Sequence, residues 1–357
     1  MAMTHFYRTT RRHGRWFFVD PSGEPFWSLG MNHLDSATLR YPDSGDAWEQ
    51  RHGNSMEIWL RHVREDLLDW GFNTVGWVQE VVTRSPENHR HSRAFTPEEY
   101  QWLDMPYCHL LPFAEIHQWE VETRLPDITS TGFEEWCDYV ARDHCARLSD
   151  DPKLIGYFSA DCPVWVHTTH DNEWRGPLFD ADRLESDAGR RELSKLAERY
   201  YRVTHDAVRR YDANHLILGD RYEANAPLPI EVTDAATPFV DVMSFQCFGT
   251  PDHVRDTISQ FAGRCRRPVL VADSAQRTSN PHGASDGVTD PMHDPAAHGR
   301  VLDMLIDIPE CIGYHLCGAY LKNRTRRSGF RDHRDVPDQE MIAGMRDHNR
   351  RAIARIV

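Results

Sequence analysis

Two acidic residues stand at the ends of short apolar runs, one near the middle of the chain and one in its last third. Asp161 ends the run LIGYFSAD, and Asp273 ends PVLVAD. A barrel strand that stops at an acid lifts a carboxylate out of the core to the carboxyl-terminal rim. Two carboxylates are the minimum for cleaving a glycosidic bond, because one protonates the leaving oxygen while the other attacks or activates water.

Eight strand-like runs alternate with helical patterns after residue 25. They are FWSLGMNH (26–33), FNTVGWV (72–78), YCHLLPFAE (107–115), LIGYFSAD (154–161), HLILGD (215–220), VDVMSFQ (240–246), PVLVAD (268–273) and CIGYHLCG (311–318). This alternation predicts an α/β fold, a single (β/α)8 TIM barrel that spans residues 1–357 as one domain. The helix after the fifth run is the least marked, because Pro227, Pro229 and Pro238 interrupt its segment.

The first 25 residues predict an N-terminal β-hairpin that closes the bottom of the barrel. Two aromatic-rich runs in GRWFFVDPSGEPFW are joined by DPSG, a typical turn sequence. Four long segments follow predicted strands: residues 34–54, 79–106, 163–187 and 275–294. We expect them to be rim loops at the active-site end, where they would wall a deep pocket.

The chain of 357 residues has 41 Lys and Arg against 55 Asp and Glu, a formal net charge of -14. This balance argues against a nucleic-acid or membrane partner and favours a neutral or cationic small molecule. The N-terminus has no apolar signal-peptide core, and no run approaches the length of a membrane span, so we expect a cytoplasmic protein. The sequence leaves the oligomeric state open, including a homo-oligomer.

The motifs predict neither a cofactor nor a metal. GxGxxG, GxxxxGK[ST] and GxSxG are absent, which disfavours nucleotide-dependent and serine-hydrolase chemistry. The eight cysteines include no close CxxC pair and are expected to be reduced thiols. His167 and His170 form an HxxH, but no HxH ends the first strand. The flanking Trp165 and Trp174 instead indicate a sugar-facing rim loop.

Taken together, these segments resemble clan A glycoside hydrolases, and most closely the exo-acting β-agarases of glycoside hydrolase family 50. The resemblance is carried by GRWFFVDPSGEPFWSLGMNH, WGFNTVGW, DPKLIGYFSAD, NHLILGDRYEA, VDVMSFQ, RPVLVADS and the GYH of the eighth strand. It covers nearly the whole barrel and implies a glycosidase with a small-molecule saccharide substrate. In that family the fourth strand ends in Asn-Glu, with Glu as acid/base, and the seventh ends in a Glu nucleophile.

Both catalytic positions depart from the family pattern. The fourth strand has Asp161-Cys162 in place of Asn-Glu, and the seventh has Asp273 in place of Glu. A thiol is a poor proton donor to a glycosidic oxygen, so we predict Asp161 as the acid, with Glu223 in reserve. The shorter Asp273 moves the gap between the carboxylates toward the roughly 6.5–9.5 Å that admits a water. An inverting mechanism with Asp273 as base is then expected. Two other roles for Asp161 stay open: a sugar-hydroxyl acceptor or a structural residue.

Other strand ends supply candidate substrate-binding residues, the hydrogen-bonding and stacking groups that a sugar ring requires. They are Asn32, His33, Trp77, Glu80, Glu115, His117, Trp165, Asp220, Arg221, Gln246 and His315. Arg221, next to acids, would orient a carboxylate and hold it ionised. Phe248 lies where the clan often has a Tyr, and His315-Leu316-Cys317 where the agarase pattern has an aromatic platform. A changed substrate is therefore expected.

Two other functions are compatible with the sequence. A barrel that has lost both family glutamates could bind carbohydrate without cleaving it. A hydrolase or lyase could use one Asp and a His such as His315 on a non-glycosidic sugar derivative. The two strand-end aspartates favour hydrolysis of a small glycoside or oligosaccharide at its end.

Overall fold

A small antiparallel sheet precedes the barrel. The computed structural model describes residues 5–77, 95–114, 127–163, 165–166, 181–276, 294–322 and 329–356. The sheet consists of β1 (Arg8–Arg12), β2 (Arg15–Val19) and β3 (Pro25–Phe26). The turn between β2 and β3 falls on DPSG, where the Gly23 amide donates to the Asp20 carbonyl over 2.9 Å. The predicted hairpin is therefore confirmed, and β1 adds a third strand to it.

Eight parallel strands close into a barrel, as the alternation of patterns predicts. They are β4 (Ser28–Asn32), β5 (Thr74–Trp77), β6 (Tyr107–Ala114), β7 (Leu154–Asp161), β8 (Leu216–Glu223), β9 (Met243–Gln246), β10 (Val269–Ser274) and β11 (Cys311–Leu316). Each strand pairs with the next along the chain, and β11 closes the ring by pairing with β4. A short pair, β12 (Ala319–Leu321) and β13 (Gly329–Arg331), follows. The chain has the (β/α)8 barrel fold, and every predicted strand overlaps an observed one.

Nine α-helices lie in the described part of the chain. They are α1 (Ala47–His52), α2 (Met56–Asp69), α3 (Pro97–Leu103), α4 (Thr131–Leu148), α5 (Asp187–Tyr211), α6 (Ile230–Ala236), α7 (Pro251–Arg264), α8 (Pro295–Ile306) and α9 (Gln339–Ala354). The helix in the proline-interrupted segment, α6, has only 7 residues. None of these helices combines the length and apolar character that a membrane crossing requires.

Polar caps in the sequence fix several helix starts. The Ser130 hydroxyl accepts from the Phe133 amide over 3.1 Å at the start of α4. At α3, Thr96 and Glu99 form a reciprocal capping box. Such a cap contributes about 1 kcal/mol, because it satisfies amide groups that have no partner within the helix.

Two apolar layers stabilise the barrel. The inner layer fills the space enclosed by the strands and includes Ile155, Phe158 and Leu270. The outer layer packs the strands against the helices and includes Trp59 and Tyr200. Each fully buried side chain of this kind contributes about 1.5–3 kcal/mol relative to exposure. The two layers therefore hold the strand ends in fixed positions.

The N-terminal sheet lies under the amino-terminal end of the barrel. Phe18 of β2 is fully buried and belongs to the inner apolar layer. The Trp16 amide donates to the carbonyl of Pro309, which shortly precedes β11, over 2.8 Å. The strands finish at the opposite end of the barrel, which this sheet does not cover.

Candidate active site

Asp161 and Asp273 lie at the carboxyl-terminal ends of β7 and β10, and both side chains contact Arg221 of β8. Arg221 Nη1 pairs with Asp161 Oδ1, and Nη2 lies 3.4 Å from Asp273 Oδ2. Arg221 is fully buried, and only 5% of Asp161 and 4% of Asp273 is exposed. We call these three residues the mouth cluster.

Irregular strand geometry aims Arg221 into the barrel. Leu216 and Leu218 of β8 belong to the inner layer, so simple alternation would turn residue 220 inward. Gly219 has a φ of 71°, a left-handed conformation that glycine adopts without strain, and it shifts the alternation by one residue. As a result Arg221 faces the mouth and Asp220 faces the helices.

Asp220 is therefore placed away from the other candidate residues. Its carboxylate accepts from the hydroxyls of Tyr200 and Tyr201 of α5, over 2.9 and 2.8 Å. Burial raises the pKa of Asp220 to about 7, and these two hydrogen bonds only partly oppose the rise. The structure thus puts Asp220 in the outer layer between β8 and α5.

Asp161 carries features of a proton donor. Its Oδ1 accepts from Gln246 Nε2 of β9 over 2.7 Å. Burial raises the pKa of Asp161 above its usual value, although Arg221 opposes that rise, and the neighbouring Asp273 carboxylate raises it further. Two carboxyl groups share one guanidinium, so uptake of one proton neutralises the mouth cluster. This is the arrangement in which one of two acids serves as a general acid.

Asp273 is oriented from β4. Asn32 Nδ2 donates to Asp273 Oδ1 over 2.6 Å and to the Ala272 carbonyl over 2.9 Å. The other carboxylate oxygen, Oδ2, lies 3.9 Å from His33 Nε2. His33 has a φ of 60°, which is uncommon outside glycine and is often found at functional sites. Asn32 and His33 therefore flank the two oxygens of this acid.

Trp77 of β5 forms one wall of the mouth cluster. The guanidinium carbon of Arg221 lies 4.2 Å from the centre of the Trp77 ring, a cation–π contact. The His33 ring meets Trp77 edge-on, with ring centres 5.0 Å apart. Trp77 thereby fixes the position of two polar groups that the sequence assigned to the site.

His315 belongs to β11, and its side chain points into the barrel against residues of β4 and β5. It is fully buried, and its Nε2 lies 2.8 Å from Ser28 Oγ. A Cβ at Gly30 or Gly76 would lie 2.6 Å from an atom of the ring, so the close approach requires glycine at both positions. Burial lowers the pKa of His315 to about 3, which keeps the imidazole neutral.

Several buried polar atoms near the mouth have no hydrogen-bond partner among the described residues. They are Asn32 Oδ1, Trp77 Nε1, Arg221 Nε and His315 Nδ1. Leaving such an atom unsatisfied costs about 1–3 kcal/mol, and native proteins rarely tolerate it without a reason. Four of them around one pair of acids are typical of a site that binds a polar ligand.

The remaining candidates are distributed over the rim. Glu223 ends β8, is half-buried and accepts from the Asn225 amide over 3.0 Å. Trp165 is fully buried in the outer layer, and its ring centre lies 5.7 Å from that of Tyr200. Three predicted residues, Glu80, Glu115 and His117, lie outside the described residues, as do both histidines of the HxxH, His167 and His170.

Two thiols lie at the mouth; the sequence excluded Cys162 as the acid and gave Cys317 no role in binding. Cys162 has a φ of 44°, is half-buried, and its Sγ lies 2.8 Å from Gln246 Nε2. Cys317 Sγ lies 3.7 Å from His33 Nε2. Strand alternation is the signal for Cys317, because residue 317 follows the inward-facing His315 by two positions.

Solved structures with the same fold include agarases, whereas no family model and no curated protein matches the sequence. An agarase matches 100% of this chain with 18% identity and a TM-score of 0.75. An exo-β-agarase matches 99% of it with 16% identity and a TM-score of 0.74. The chain has the barrel fold of these enzymes. The resemblance to the family 50 agarases is confirmed at the level of the fold.

A second group of similar structures consists of β-glucuronidases. That of Bacteroides uniformis matches 96% of the chain with 12% identity and a TM-score of 0.59. The chain spans 65% and 66% of the length of the two agarases and 37% of the glucuronidase. At such identities the likeness concerns the fold, and function has to be argued from the site.

Proposed function

We propose that the protein is a glycoside hydrolase that cleaves a small glycoside or oligosaccharide at its end. The observation that carries the proposal is the convergence of Asp161 and Asp273 on Arg221 at the mouth of the barrel. Glycosidic cleavage needs two carboxyl groups in one pocket, and barrel enzymes place their catalytic groups at this end. The agarases and glucuronidases that share the fold support a saccharide substrate.

Asp161 acts as the general acid in this proposal. Burial favours its protonated form, which can donate to the leaving oxygen. After proton transfer, the new carboxylate is stabilised by the guanidinium of Arg221 and the amide of Gln246. These two partners are in place before the reaction, so no reorganisation is needed when the charge develops.

Asp273 acts as the general base. Its Oδ1 accepts from Asn32, and we assign Oδ2, which lies 3.4 Å from Arg221 Nη2, as the oxygen that accepts a proton from water. The two acids lie against different nitrogens of the Arg221 guanidinium, Asp161 against Nη1 and Asp273 against Nη2. A separation that admits a water molecule leads to inversion at the anomeric carbon.

Carbohydrate binding without cleavage is the second candidate function. It is favoured by the ion pairs of Arg221, since a guanidinium lowers the pKa of a bonded carboxyl group, which weakens it as a base and leaves less of it protonated to act as an acid. In that case the unsatisfied polar atoms near the mouth would hold sugar hydroxyls, and the mouth cluster would be structural.

Product stereochemistry tests the proposal. The purified protein is incubated with a panel of aryl glycosides and small oligosaccharides, including glucuronides and agar-derived oligosaccharides, and the first product is followed by proton NMR. We expect turnover with the anomeric configuration opposite to that of the substrate, read before mutarotation.

Retention of configuration would remove Asp273 from the base role and make it a nucleophile. Titration calorimetry with the same panel separates the two candidate functions. A sugar that binds but releases no product would favour the carbohydrate-binding barrel.

A further inference from the structure

Three potential metal ligands from neighbouring strands meet beside the mouth cluster. They are His33 after β4, Asp273 of β10 and Cys317 after β11. These strands are consecutive in the barrel, so their carboxyl ends are adjacent. One donor atom from each residue lies within 4.8 Å of the other two, and all three residues are buried.

The geometry distinguishes a cation site from a nucleophile–histidine–acid triad. In a triad, the nucleophile and the acid bind opposite nitrogens of the imidazole. Here both Cys317 Sγ, at 3.7 Å, and Asp273 Oδ2, at 3.9 Å, approach the same nitrogen, Nε2 of His33. One proton on that nitrogen cannot serve both partners, whereas a cation between the three atoms can.

We propose that His33, Asp273 and Cys317 form a binding site for a zinc ion. Zinc bond lengths place the donor atoms of a tetrahedral site roughly 3.4–3.6 Å apart, close to the two spacings measured from His33 Nε2. Imidazole, thiolate and carboxylate together suit zinc, while the sulfur disfavours magnesium and calcium. Three protein ligands leave a fourth position for water or another small ligand.

Charge and orientation at the site agree with a divalent cation. Two of the three ligands carry negative charge when they bind a metal, the Asp273 carboxylate and the deprotonated Cys317 thiolate. A zinc ion between them is attracted to both. Asn32 holds Asp273 Oδ1 and turns Oδ2 toward His33, as outer partners commonly do for metal ligands.

Metal binding at this site does not require the proposed hydrolysis. One consequence does rest on the proposed function: zinc and the general base would compete for the same oxygen of Asp273. We therefore expect the ion to inhibit hydrolysis. A binding measurement needs no substrate, so failure of either proposal can be recognised separately.

The test uses the metal-free protein titrated with Zn²⁺ in competition with a chromophoric chelator. We expect one tight site per chain. Loss of a ligand in Cys317→Ser or His33→Asn should weaken binding by more than the roughly 10–100-fold that loss of an outer partner costs. Asparagine is chosen at position 33 because it tolerates a positive φ. Circular dichroism and thermal unfolding establish that both variants fold.

Cys162→Ser is the matched control, because Cys162 is a second thiol at the mouth outside the proposed ligand set. The Cys162→Ser variant should bind zinc as tightly as the wild type. Replacement of zinc by Co²⁺ should give a thiolate-to-cobalt charge-transfer band that is present in Cys162→Ser and absent in Cys317→Ser.

Three results would overturn the assignment. The first is zinc affinity equal in the wild type and Cys317→Ser. The second is a cobalt band that depends on Cys162. The third is binding that disappears when His167 and His170 are replaced, which would move the metal to the HxxH segment.

Discussion

Two buried aspartate clusters lie on opposite faces of β8 and differ in what balances the carboxyl charge. At the mouth, Asp161 and Asp273 share the guanidinium of Arg221. In the outer layer, Asp220 accepts only from tyrosine hydroxyls, and within the described ranges no cation forms an ion pair with it. The two environments are separated by a single peptide bond, that between residues 220 and 221.

Burial alone does not distinguish these clusters, because it raises the carboxyl pKa in both. The mouth cluster keeps a full positive charge next to its acids and has unsatisfied polar atoms nearby. In the outer cluster, Asp220 is fully buried and its carboxylate already has two tyrosine partners, so it can take up a proton without a bound ligand. A shared cation and unsatisfied neighbours therefore indicate a working site better than burial does.

The largest expected effect contrasts the two clusters directly. Asp161→Asn and Asp273→Asn should each lower kcat by about 10²–10⁴-fold on any substrate that the wild type turns over, because each removes a proton-transfer group. Asp220→Asn, an identical chemical change on the other face of β8, should leave kcat close to that of the wild type. Steady-state kinetics on the three variants gives the measurement.

Thermal unfolding of the same variants controls for loss of structure. Near-normal turnover in either mouth variant would remove that residue from the chemistry. A loss in Asp220→Asn as large as in the other two, with the fold intact, would erase the contrast between the clusters.

Arg221→Lys should lower kcat by less than the aspartate variants do. Lysine keeps the positive charge but lacks the planar fork that contacts both acids. Displacement of the acids by about 1 Å should cost on the order of 100-fold in kcat. The KM should change little if Arg221 positions the acids rather than the sugar. An unchanged kcat would show that the charge alone suffices.

Titration of Asp220 in the outer cluster should change the free energy of unfolding with pH. The folded-state pKa of Asp220, about 7, lies above the usual value of 3.8. Its contribution to stability is therefore complete below about pH 4 and is lost as the pH rises toward 7. Across this window it should lower the free energy of unfolding by on the order of 1.4 kcal/mol per pH unit.

Asp220→Asn removes this contribution, so urea unfolding at about pH 5 and about pH 7 should show a flatter dependence in the variant. The comparison with the wild type cancels the titration of other groups. Parallel pH profiles for the two proteins would assign the titration to a different residue.

The smallest effect is expected at Cys162. Its Sγ lies 2.8 Å from Gln246 Nε2, and a thiol is only a weak hydrogen-bond donor, so Cys162→Ser should change turnover by less than about tenfold, equivalent to about 1.4 kcal/mol. The assay is the same steady-state measurement. A loss comparable to that of the aspartate variants would place this thiol in the chemistry.

The sequence predicted the barrel because its signals are local. Each strand is a short apolar run, and each helix has an apolar face, so their order alone determines the fold class. The same patterns located Asp161, Asp273 and Arg221 at strand ends, and the structure brings these three residues into one cluster. The third strand of the N-terminal sheet was missed because Arg8–Arg12 is short and polar.

The sequence could not predict which side chains face the mouth. Asp220 and Arg221 exchange faces because Gly219 adopts a left-handed conformation, and a glycine in a strand does not reveal its φ. The aromatic side chain of Trp165, predicted on the rim, packs in the outer layer. The approach of Cys317 to His33 depends on the closure of the barrel between its last and first strands, which no local pattern encodes.

Closure of the barrel also delays the pairing of β4 during synthesis of the chain. Ser28 and His315, which touch across the seam between β4 and β11, are 287 residues apart in the chain. At a synthesis rate of roughly 5–20 residues per second, the free edge of β4 waits on the order of 15–60 s for its partner. An unpaired strand edge can recruit other chains during that interval. A nascent chain that stops short of β11 would therefore remain an open sheet that is prone to aggregate.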